Sequence, residues 1–141
     1  MVSVVDPALI AAYEATHYVV VDASVELILR IGRLDAALDD LLDRHAARTA
    51  ALVTAFNPES VVLPIADNKR RHDEFLVALK QRGIAALPAE GRDPKGSWLA
   101  ETSCLVLSIT LTEAQALGRQ FAQNAIVFIE RQRPPRLVLL R

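Results

Sequence analysis

The sequence contains one cysteine, Cys104, which excludes an internal disulfide and any multi-cysteine zinc or iron–sulfur site. Excess charge is also missing. The 16 Lys plus Arg against 17 Asp plus Glu give a net charge of −1, so bulk attraction to polyanions is not available. The five glycines, Gly32, Gly83, Gly91, Gly96 and Gly118, have the spacing of neither a dinucleotide fingerprint nor a phosphate-binding P-loop. His17, His45 and His72 form no local His-x-x-x-His pair, no serine sits in a Gly-x-Ser-x-Gly elbow, and no glutamate has a lysine two residues on. Neither a metal nor a cofactor is therefore expected. Aromatic residues make up 5% of the chain, leaving few rings for base stacking, so nucleic acid is a disfavoured partner. The longest uncharged stretch, Thr102 to Thr112, is far short of the ~20 residues that span a bilayer as a helix. The first basic residue is Arg30, and Asp6-Pro7 interrupts the start, so a secretory signal is not expected and a cytoplasmic setting is.

Core-forming residues are plentiful. Hydrophobic residues are 52% of the 141, enough to fill the core of a single globular domain over 1–141. Asp6-Pro7 marks a helix start over 7–16, and Tyr18–Val21 with Val25–Ile31 reads as an edge strand pair joined by a tight turn. Leu34, Leu38, Leu41, Leu42 and His45 recur with helical period over 33–46. A strand from Ala51 to Phe56 stops at Asn57-Pro58, and a helix is predicted from an Asp67 cap to Gly83. Strands at 84–90 and 98–109 flank the turn-forming Gly91 to Gly96. A capping box at Thr112–Gln115 opens a helix ending near Gln123, and strands at 125–129 and 137–140 finish the chain. This order predicts an α+β fold: a two-layer mixed sheet of six to seven strands, with several antiparallel hairpins, packed by about four helices. An exposed edge such as Leu137–Leu140 leaves monomer and homodimer both open.

Hydrogen-bonding residues fall at the ends of these elements, where a rigid scaffold presents binding groups. They are Asn57, Ser60, Asn68, Arg71, Glu101, Ser103, Arg119, Gln123 and Asn124. A helix start carrying Arg71 suits a carboxylate or phosphate, which favours a binding or accessory module for a small anionic molecule or a protein partner. As an enzyme, the chain would use Glu101 as general acid or base and Arg71 to stabilise developing negative charge. The same residue types also cap helices and turns, with Arg71 paired to an acid such as Glu101. Two net-basic stretches, Lys69–Arg82 and Arg119–Arg141, read as solvated faces or as a patch for an acidic ligand.

At these positions the chain resembles a bacterial family of uncharacterised proteins, domain-of-unknown-function family 3293. The resemblance rests on Ala12-Tyr13 with Thr16, Thr54-Ala55-Phe56-Asn57-Pro58-Glu59-Ser60, Asn68 with Arg71, Gly91-Arg92-Asp93-Pro94 before Trp98, Glu101 with Ser103, and Gly118 to Ala125. Ala122 stands where the family often has glycine, and Thr102 where proline is common. The resemblance implies no reaction, substrate or cofactor. It implies that Asn57, Ser60, Asn68, Arg71, Glu101 and Gln123 belong to the family's pattern.

Overall fold

A computed structural model describes residues 4–141. The strands are β1 (His17–Asp22), β2 (Val25–Leu29), β3 (Thr49–Thr54), β4 (Ala86–Arg92), β5 (Glu101–Leu107), β6 (Ala125–Glu130) and β7 (Arg136–Leu139). The helices are α1 (Pro7–Ala15), α2 (Ala36–Arg44), α3 (Ile65–Gln81) and α4 (Leu111–Gln120). All seven strands form one sheet in the order β2-β1-β4-β5-β3-β6-β7. The α+β class holds, and the β1–β2 pair and β7 occupy the two edges as expected. Every neighbouring pair is antiparallel, however, so the sheet is not mixed. The α4 crossover joins β5 to β6, which run the same way, but β3 lies between them and opposes both.

Four consecutive apolar residues in β3, Ala50 to Val53, require cover on both faces, and the sheet receives it. Ala51, Val53, Cys104 and Val106 pack with Phe75 and Leu79 of α3 and with Leu117 of α4. Ala50, Leu52, Leu105 and Leu107 pack on the opposite face with Leu38, Leu41 and Leu42 of α2. Helices thus flank the sheet on both sides, a third layer beyond the two expected. Cys104 is buried, and burial pushes its thiol up to about 11, as befits a small core residue.

Several element starts differ from the sequence reading because local caps compete. Leu34 is exposed, and α2 begins only after Asp35, whose carboxylate accepts from the Ala37 amide. Helix α3 starts at Ile65 behind Pro64, so Asp67 lies in the first turn and pairs with Arg70. The capping box of α4 is formed by Thr110 and Glu113. β5 begins at Glu101, which leaves Trp98 in the preceding loop.

Gly118 lies where α4 meets the sheet. A Cβ there would stand 2.5 Å from Leu140 Cδ1 and 2.8 Å from Ile126 Cγ2. Gly118→Ala is therefore expected to destabilise the protein by roughly 1–3 kcal/mol through overpacking, despite alanine's better helix propensity. Urea denaturation checks this.

Candidate functional site

The sheet order gathers one set of strand ends. Because β3 runs antiparallel to both β5 and β6, its C-terminal end lies beside the starts of both, with Thr54 opposite Ser103 and Leu52 opposite Val127. Asn57 just after β3, Glu101 at the start of β5 and Asn124 just before β6 therefore meet at one end of the sheet.

Asn57 organises this end. It adopts a left-handed backbone conformation (φ 45°), as do Glu59 and Ser60, turning the chain sharply through a 3-10 segment at Pro58–Ser60. The Asn68 side chain on α3 answers it reciprocally. Asn68 Oδ1 accepts from the Asn57 amide at 2.8 Å, and Asn68 Nδ2 donates to Asn57 Oδ1 at 2.8 Å. Asn57 Oδ1 also accepts from the Leu63 amide at 3.0 Å, which closes the loop on α3. Its Nδ2 donates to Glu101 Oε2 at 2.6 Å. Asn68 is 3% exposed, so its bonds are made in a desolvated setting where losing one is costly.

Arg71 faces elsewhere. Its Nε donates to the Ala55 carbonyl at 2.7 Å and its Nη2 to the Phe121 carbonyl at 2.5 Å, tying the end of β3 to the end of α4. Buried Gln123 reinforces the tie, with Nε2 donating to the carbonyls of Phe56 at 3.0 Å and Phe121 at 3.2 Å. Gln123 is delivered by a Schellman turn. The Gln123 amide donates to the Gly118 carbonyl, and the Ala122 amide to that of Arg119, both at 3.0 Å. Ala122 is the left-handed residue of that turn (φ 55°), the conformation glycine adopts without strain. Ala122→Gly is expected to stabilise the protein by about 0.5–1 kcal/mol, since relief of the left-handed strain exceeds the added freedom of the unfolded chain. A rise in thermal midpoint checks it.

Between these strand ends, α1 and the β4–β5 loop lies a cavity of about 540 Å³. Leu9, Ala12 and Tyr13 of α1 line one wall, and Trp98 and Leu99 of the loop another. Leu52, Thr54, Glu101 and Ser103 contribute from the sheet, and Ser60, Gln123 and Asn124 from the connecting segments. Tyr13 fastens α1 down: its hydroxyl bonds with Ser60 Oγ at 2.5 Å and accepts from Asn124 Nδ2 at 3.2 Å. Tyr18 donates to the Tyr13 carbonyl at 3.0 Å. Ser103 is 6% exposed, and its buried Oγ has no hydrogen-bond partner among the described residues. An orphan hydroxyl against a cavity is a group for a ligand or water to satisfy.

Among the described residues Glu101 is the sole charged one lining the cavity, with no Lys, Arg or His in its wall. Burial raises its carboxyl above the ordinary glutamate value, and the Asn57 bond offsets part of that rise. Tyr18, facing the same carboxyl, is itself raised by burial and by that negative charge. A carboxyl whose folded value is raised binds its proton more tightly in the native state, so it favours folding at low pH. That contribution is lost as pH climbs from the ordinary value of 4.5 through the raised one. Glu101→Gln keeps an acceptor for Asn57 and is expected to remove this part of the pH dependence, leaving the variant the more stable protein at neutral pH. Denaturation midpoints across pH test it.

Of the residues singled out from sequence, Asn57, Ser60, Asn68, Glu101, Ser103, Gln123 and Asn124 all line this one cavity. Arg71 does not line it, nor does exposed Arg119. Tyr13, Thr16, Tyr18 and Trp98 line it too. Tyr13 reads from sequence as an inward core residue; its place beside Thr16 in the family pattern was the one signal pointing further. Within the basic stretches four arginines are ion-paired, Arg70 with Asp67, Arg131 with Asp43, Arg136 with Glu130 and Arg141 with Glu59. Among the described residues no three His, Cys, Asp or Glu side chains gather as metal ligands, and no helix is long and apolar enough to cross a membrane.

The profile of the family described as protein of unknown function DUF3293 matches residues 53–126, just over half of the chain. The chain belongs to that family. The matched span runs from the end of β3 through α3, β4, β5 and α4 to the start of β6, and so holds the Asn57–Asn68 pair, Arg71, Glu101, Ser103 and Gln123. No curated protein and no solved structure matches the chain.

Proposed function

We propose that this protein is a small-molecule binding module whose ligand enters the cavity between α1, the β4–β5 loop and the sheet. The observation carrying this reading is the unpartnered Ser103 hydroxyl beside the desolvated Glu101 carboxyl, within a cavity of about 540 Å³, a size suited to a compact organic ligand. Asn57, Ser60, Asn68, Gln123 and Asn124 shape the polar end. Arg71 is a positioning residue, because its guanidinium is committed to backbone carbonyls. That commitment removes the reason for favouring an anionic ligand, and it leaves the catalytic alternative with Glu101 alone. A cytoplasmic setting is part of the same proposal, supported by the lone unpaired thiol of Cys104.

Nuclear magnetic resonance tests the reading with hexanol as a neutral probe. Shifts are expected at the side-chain amides of Asn57 and Asn124 and at the Trp98 indole, with the Arg71 guanidinium unmoved. Shifts confined to residues outside the cavity would contradict it.

A further inference from the structure

The chain is poor in aromatics, yet both tyrosines and its only tryptophan line this cavity, joined by Phe56. Ring faces carry partial negative charge and attract cations, most strongly where water is excluded. Glu101 adds the cavity's single formal charge, of the same sign. Its Oε2 is engaged by Asn57, and among the described residues it forms no ion pair. Ser103 Oγ, two residues along the same face of β5, offers a further acceptor with no partner. The polar end therefore presents acceptors and negative potential. Beyond it the rim is apolar: Val62 and Leu99 are 83% and 87% exposed, and Ile65 and Trp98 continue the surface.

We propose that the cavity's ligand is an organic cation, a primary ammonium on an apolar body, with its nitrogen at Glu101 and Ser103 and its hydrocarbon part running past Trp98 to the rim. This rests on the binding reading above and gives it a ligand class. The ammonium supplies the donors that Ser103 and Glu101 lack and returns an opposite charge to a desolvated carboxyl. A carboxylate or phosphate meets only like charge there, and a neutral alcohol forgoes the charge pairing.

Trp98 is the chain's sole tryptophan and lies in the cavity wall, so its emission reports occupancy directly. Hexylamine, hexanol and hexanoate, titrated at neutral pH, differ in the head group alone. Hexylamine is expected to bind roughly ten-fold or more tightly than hexanol, with hexanoate weakest. In Glu101→Gln the preference for hexylamine over hexanol should collapse while hexanol binding persists. If that variant does not fold, the wild-type ranking decides. Hexanol or hexanoate binding as tightly as hexylamine would overturn the cation assignment and leave the cavity reading intact. Absence of binding by all three would overturn both.

Discussion

Arg71→Ala is expected to destabilise the protein by about 2–4 kcal/mol, the loss of two charge-assisted hydrogen bonds plus the desolvation left at two carbonyls. The Ala55 and Phe121 carbonyls would lose donors at 2.7 and 2.5 Å. Both residues are buried, so water replaces the guanidinium poorly at either site. Gln123 still donates to Phe121 at 3.2 Å, which limits the damage there and leaves Ala55 the more severely orphaned. Arg71→Lys should recover little, because one ammonium cannot span two carbonyls in the fixed geometry of a guanidinium fork. Guanidinium chloride denaturation of the two variants measures this. If Arg71→Ala matched the wild type in stability but lost ligand, Arg71 would be a binding residue and the division of roles drawn here would be wrong.

Asn57→Asp makes a sharper test, because the change is isosteric and its consequence depends on pH. Asn57 Nδ2 sits 2.6 Å from Glu101 Oε2, so an oxygen in its place sets two carboxyls against each other. Two carboxylates this close cannot both ionise, and one holds its proton well above the ordinary range. The folded state then binds a proton that the unfolded state releases, so stability falls as pH rises from the ordinary carboxyl range through the raised value. Near-wild-type stability is expected at about pH 4, with a loss on the order of 2–4 kcal/mol at neutral pH. Thermal midpoints of variant and wild type at the two pH values measure the difference. A deficit independent of pH would mean that Glu101 does not face Asn57.

Much of this end of the protein was legible in the sequence for one physical reason: polar side chains directly after or before apolar strands sit at sheet ends. Asn57-Pro58 follows β3, Glu101 opens β5 and Asn124 precedes β6, so an antiparallel sheet brings them together once β3 pairs with both. That pairing was not legible. Nothing local to β3 says that it lies between β5 and β6, and without it the antiparallel order and the third layer cannot be drawn. The direction of Arg71 was equally hidden. A guanidinium at a helix start reads as an anion site, whereas here the nearest acceptors are carbonyls of a strand end and a helix end that are far away in sequence. Tyr13 was hidden by its chemistry, since a half-buried tyrosine on a short helix satisfies a helical apolar stripe and still carries a hydroxyl to Ser60 and Asn124.

Ala122 is a case in which the sequence posed the right question. Its place in the family's glycine position signals a special backbone angle, and the left-handed Schellman turn supplies it. The turn forms with alanine and still delivers Gln123 to the Phe56 carbonyl. The substitution therefore costs strain rather than the placement of the cavity wall.

The most direct measurement is a crystal structure of the protein grown with hexylamine. The expected result is ligand density inside the cavity, with the amine nitrogen within hydrogen-bond distance of Glu101 and Ser103, the alkyl chain against Trp98, and Arg71 still bound to the Ala55 and Phe121 carbonyls. An empty cavity with Ser103 satisfied by the protein itself, or ligand seated at Arg71, would contradict the assignment of this cavity as the binding site.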